Sequence, residues 1–266
     1  MLGKLLKHEL KSTGRLLLPV HALVLLFGVI GRLLVTIANN TQALPDVLVA
    51  LLAGTYVLMI IVAAAGTSFY LAIRFYRHLF TDQGFLAFTL PVTPGQHLLC
   101  KTISGSIWKI INMLCIGSSI LLIVFNARFV RMFHDYFFPA LQREAGIDTS
   151  VFAWIMIIGL LIYSFAEILM YYVCIAIGQL FSKHRILCSI VAYFVITFAL
   201  QIISTVPILV LISFSAPEYV MYPGDLMDLS TMTMTYTNIY LVITLILTII
   251  YYVVTHRIMT RRLNLI

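Results

Sequence analysis

A single carboxylate inside an apolar run is the residue here with the most chemistry to explain. Glu167 lies near the middle of the stretch 151–181, where a carboxylate in a bilayer costs about 2.5–3.5 kcal/mol on insertion scales. Helical spacing puts Tyr163, Ser164, Tyr171 and Cys174 on its side. That polar, small-residue stripe must face other helices or a hydrated cavity rather than lipid. Two roles fit it: a structural hydrogen bond to a tyrosine or serine, and a part in substrate passage. A second acid, Glu9, interrupts an amphipathic pattern. Leu2, Leu5, Leu6 and Leu10 share one side of residues 1–13, Lys4, Lys7, His8 and Lys11 share the other, and Glu9 projects into the leucines. Its carboxylate either reaches water from a frayed end or forms a salt bridge to a buried cation such as Lys109.

Enzyme chemistry has little to work with. His8-Glu9 lacks the second histidine of a zinc-binding HExxH helix. Gly95 to Thr102 reads GQHLLCKT, a near miss of a phosphate-binding loop with Cys100 where the second glycine belongs. No GxSxG elbow and no Cys/His ligand cluster is present. His8, His78, His97, His184 and His256 sit where snorkelling to a membrane interface accounts for them. Cys100, Cys115, Cys174 and Cys188 are expected as packing residues rather than a disulfide framework. The chain is therefore expected not to be an enzyme and to bind no cofactor or metal itself.

The elements that hold these residues follow from composition. The 266 residues are 62% hydrophobic and 10% charged, with mean hydropathy +1.04, far from the roughly one-quarter charged residues of a soluble domain. The expected fold is an all-α membrane protein with six transmembrane helices, each needing about 20 apolar residues. Hydropathy places them near 16–38, 47–73, 103–125, 151–181, 186–214 and 238–256. An amphipathic helix over 1–15 is expected to lie on the inner leaflet, and residues 257–266 form a basic tail. With the N-terminus inside, 12 of the 17 Lys and Arg residues fall in inner segments and three (Arg128, Arg131, Arg143) in outer ones, Arg32 and Lys109 lying within spans. That asymmetry puts both termini in the cytoplasm, and the chain is expected in the plasma membrane. The net charge of +7 then means topology and contact with anionic lipid, not nucleic acid. Trp108 and Trp154 are expected as interfacial belt residues, with Lys109 and Arg32 snorkelling.

The longest inner connection, Arg74 to Cys100, is rich in leucine and aromatics. Asp82 can cap a short helix that Pro91 ends by restricting Leu90. Thr93-Pro94-Gly95-Gln96 reads as a capping box opening the third span. Phe75, Tyr76, Phe80, Phe85 and Phe88 form either a docking surface or a set of headgroup anchors. Outside, Phe133-His134-Asp135-Tyr136-Phe137-Phe138-Pro139 suggests an interfacial helix in which Arg131 and Asp135 pair. Pro217, Pro223 and Gly224 suggest a non-helical loop over 215–237, and Pro207 can kink the fifth span.

Asp82-Gln83-Gly84-Phe85-Leu86, then Thr89-Leu90-Pro91-Val92-Thr93, then Lys101 at the mouth of a span, resembles the cytoplasmic loop of ATP-binding-cassette permeases of the type-2 exporter class. The layout is similar too: an amphipathic N-terminal helix, six spans, both ends inside and a longer outer loop before the last span. The chain departs from that pattern in being less acidic before Gly84 and in having Pro94-Gly95 where many members carry a basic residue. The resemblance implies a cytoplasmic coupling helix between spans two and three, with Asp82, Gly84, Phe85, Leu86, Phe88, Leu90 and Pro91 at the contact with a separate ATPase subunit. It also implies ATP and Mg bound in that partner, and a second permease chain, identical or homologous. An ATP-independent transporter or channel, and a non-transporting assembly factor, are the alternatives.

Overall fold

The computed structural model describes residues 2–41, 45–81, 84, 92–145, 148–181, 183–221 and 227–261. Among them there is no strand. Six helices are long and apolar enough to cross a membrane, as the hydropathy runs predict. This is an all-helical, multi-pass membrane protein. Its chain divides into two compact units, Met1–Val130 and Arg131–Asn264.

The first unit holds α1 (Leu2–Thr41), α2 (Asp46–Phe80) and α3 (Pro94–Val124). No break separates the amphipathic segment from the first span. The backbone is helical throughout α1, with Pro19 inside it. Forty residues make a rod of about 60 Å, longer than the roughly 40–45 Å of a whole bilayer, so the amphipathic turns are an extension of the span. Their leucine face is half-buried while Gly3, Lys4, Lys7, His8 and Lys11 are exposed. The periodicity is as expected, and Glu9 on that face pairs with Arg74 and Lys101.

α1 runs parallel to α3, with Thr13 meeting Trp108 and Gly28 meeting Ser119. A Cβ at Gly28 would stand 2.9 Å from the Ser119 Cβ and 3.0 Å from its Cα; a glycine lets the two backbones close up, the ordinary device of membrane helix pairs. α3 opens as predicted. The Thr93 side chain accepts from the Gln96 amide, the Gln96 side chain accepts from the Thr93 amide, and Pro94 takes the first helical position.

The short helix α4 (Ala127–Arg131) spans the division at residue 130, and the second unit holds a π-helical segment, Met132–Phe137, and α5 (Phe138–Ala145). The π spacing alters the side-chain register of the expected interfacial helix. His134 Nδ1 lies 2.8 Å from Asp135 Oδ1, so Asp135 has its neighbour as a partner where Arg131 was expected. Three long helices follow: α6 (Thr149–Gly178), α7 (Arg185–Met221) and α8 (Met227–Arg261). α7 contains both Pro207 and Pro217, and the expected loop over 215–237 is helical on both sides of residues 222–226, which lie outside the described set. Proline deletes a backbone donor, but membrane helices tolerate it.

The turn from α6 to α7 is tight. His184 takes a left-handed φ of 57°, and a Cβ on Gly178 would collide with the Ser189 side chain and stand 2.7 Å from the Arg185 carbonyl oxygen.

Candidate functional site

Two polar sites stand out, one in each unit. In the first, Glu9 is the hub. Arg74 Nε donates to Glu9 Oε1 at 2.6 Å and Lys101 Nζ donates to the same oxygen at 2.7 Å. Arg74 Nη2 reaches Oε2 at 3.4 Å. The three side chains are 9–14% exposed. Lys101 Nζ also lies 3.0 Å from His78 Nδ1, a contact that makes sense with Nδ1 as acceptor.

The first turns of α1, the end of α2 and the start of α3 thus converge on one carboxylate. A salt bridge from Glu9 was one of the two expectations, but its cations are Arg74 and Lys101, not Lys109. Lys109 sits eight residues along α3 from Lys101, about 12 Å deeper, where it is buried and donates to Ser68 Oγ at 2.8 Å. Snorkelling does not describe it.

Trp108, likewise, is not the exposed belt residue expected. It is 4% exposed against 64% for Trp154. Its indole N–H donates to Thr13 Oγ1 at 2.7 Å, and Thr13 in turn donates to the Glu9 carbonyl at 2.8 Å. Arg32 Nη1 reaches the Ile123 carbonyl near the end of α3 at 3.4 Å.

α2 and α3 lead into the segment that the family resemblance rests on. Gly84 is described there, buried and helical, its amide donating to the Thr81 carbonyl at 2.7 Å. Asp82, Phe85, Leu86, Phe88, Leu90 and Pro91 lie outside the described residues. Of the five aromatics expected to form a docking or anchoring surface, Phe75 and Phe80 are buried, edge to face at 5.7 Å. They belong to the packing of the unit and present nothing outward.

The second site is a cavity of about 340 Å³ lined by α6, α7 and α8. α6 contributes Glu167 and, one turn earlier, Tyr163; α7 contributes Thr197, Gln201 and Ser204; α8 contributes Tyr240 and Thr244. The i, i+4 and i+7 spacing along α7 puts its three polar residues on one face. Glu167 is 11 residues from Gly178 (178 − 167) and 18 from Thr149 (167 − 149), about 16 Å and 27 Å of helix, so the carboxylate is deep within the span.

Of the predicted stripe, Tyr163 joins Glu167 in the cavity wall. Ser164 is fully buried and donates to the Leu161 carbonyl at 2.8 Å. Tyr171 stacks on Tyr193 of α7 with centroids 5.5 Å apart, and Cys174 is buried. Neither Ser164 nor Tyr171 lines the cavity.

Comparison with known proteins leaves these geometries to speak for themselves. No protein-family model, no curated protein and no solved structure matches this chain.

The residues that reading the sequence missed are instructive. Thr197, Gln201, Ser204, Tyr240 and Thr244 carried a usable signal, since polar side chains recurring on one face of an apolar span mark a buried or wet wall. Arg74 carried less, because nothing in the local pattern distinguishes a basic residue that pairs from one that reaches headgroups.

Proposed function

We propose that this chain is the membrane-spanning permease subunit of an ATP-driven exporter, coupled through residues 74–100 to a separate ATPase. On this reading it sits in the plasma membrane with both termini cytoplasmic, beside a second permease chain, and ATP and Mg bind the partner. The observation that carries it is the Glu9 cluster. Arg74 and Lys101 flank the segment 82–91 in the chain, and one carboxylate ties both to α1. A push on that segment would therefore be delivered to three helices together rather than dissipated in a hinge.

The test is a complex purified in mild detergent, with every copurifying chain identified, followed by reconstitution. Phe85→Asp should leave ATP hydrolysis running while transport falls, because the contact is lost and the membrane fold is not. Wild-type coupling in that variant, or a purified chain with no ATPase beside it, would overturn the reading.

The Glu167 cavity favours a second reading, an ATP-independent transporter, since carboxylates at membrane depth often serve ion-coupled passage. Uptake by proteoliposomes containing this chain alone, driven by an ion gradient, would select it.

A further inference from the structure

We infer that the cavity around Glu167 binds amphipathic organic cations carrying a single positive charge. Its volume, about 340 Å³, falls within the roughly 300–1,000 Å³ of small-molecule sites. Its walls are mainly aliphatic and aromatic, broken by one carboxylate and a few hydroxyl and amide groups. Glu167 is the one acid, and no lysine, arginine or histidine is present, among the described lining residues. The Thr197 hydroxyl oxygen is buried with no hydrogen-bond partner among the described residues.

Chemistry narrows the guest. A divalent metal ion asks for several oxygen or nitrogen ligands, and no group of three His, Cys, Asp or Glu side chains is gathered among the described residues. A small hydrated cation would gain nothing from the apolar walls. An anion would meet Glu167 with like charge. A molecule with an apolar body and one delocalised positive charge uses all of it: the carboxylate takes the charge, the Tyr163 and Tyr240 rings can add cation–π attraction, and the aliphatic walls cover the rest.

The inference deepens the permease reading by naming a cargo class. Its test uses no ATPase, so either idea can fail alone. The full chain in lipid nanodiscs is equilibrated with tetraphenylphosphonium, and bound probe is measured against empty nanodiscs. Tetraphenylborate, of nearly the same size and shape with the opposite charge, is the control.

Saturable binding of the cation and none of the anion is expected. Glu167→Gln should weaken it by on the order of tenfold or more, Glu167→Asp should largely keep it, and Ser204→Leu, which fills the cavity but spares the carboxylate, should abolish it. No saturable component above empty nanodiscs, equal binding of the two ions, or full affinity in Glu167→Gln or Ser204→Leu would sink the inference. Should Glu167→Gln fail to fold, the charge preference of the wild-type chain and the Ser204→Leu variant decide the matter.

Discussion

Glu9 shows how one side chain can hold three helix ends. With Arg74 and Lys101 both on its carboxylate and little water near them, the cluster is stable only while the charges stay together. Breaking a buried ion pair by neutralising one partner costs about 3–5 kcal/mol, because the remaining charge is left without compensation. Glu9→Gln is therefore expected to destabilise the fold by roughly 3 kcal/mol, read from unfolding in mixed detergent micelles. A double-mutant cycle identifies the partner. Glu9→Gln with Lys101→Gln should be non-additive by about 1 kcal/mol or more, whereas Glu9→Gln with Lys109→Gln should add to within about 0.5 kcal/mol. The reverse pattern would return the pairing to Lys109.

One turn further along α1, Thr13→Val strands the Trp108 indole N–H. A buried unsatisfied donor costs about 1–3 kcal/mol, and the same unfolding assay should show it.

Between α1 and α3, and between α6 and α7, helices approach at distances that only glycine allows. Gly28 faces the Ser119 backbone, and Gly178 faces the backbone of the first turn of α7. The obstruction in each case includes main chain, which cannot rotate out of the way as a side-chain tip can. Gly28→Ala and Gly178→Ala should each cost about 1–3 kcal/mol through forced separation of the helices. Gly54 has open space where its Cβ would go, so Gly54→Ala should leave the melting temperature unchanged or raise it slightly, alanine being the better helix former. Equal melting temperatures for all three variants would mean that the close approaches do not limit packing.

For the molecule as a whole, orientation is the property most open to direct test. The excess of Lys and Arg on one set of loops predicts a cytoplasmic N-terminus and C-terminus. Single cysteines at Lys11 and Arg257, in a chain lacking the four native ones, should react with a membrane-impermeant maleimide in inverted vesicles and stay unlabelled in intact cells. Labelling of intact cells at either site would reverse the topology and, with it, remove the segment 82–91 from any ATPase in the cytosol.

What the residues determined unaided is what short-range periodicity and hydropathy encode: six apolar helices, the leucine face of the first thirteen residues, the capping box at Thr93. Each depends on a pattern within one helix or its cap. The tertiary structure decided what those faces meet. The first four leucines of α1, read as lipid-facing, are half-buried; Trp108, read as interfacial, is buried and bonded to Thr13; the cation for Glu9 proved to be Lys101 with Arg74. The reason is physical. In a bilayer, lipid tails and leucine side chains are equally apolar, so hydrophobicity along one helix does not distinguish a neighbour from solvent. Partners separated by 65 and 92 residues in the chain meet only because the helices between them have packed.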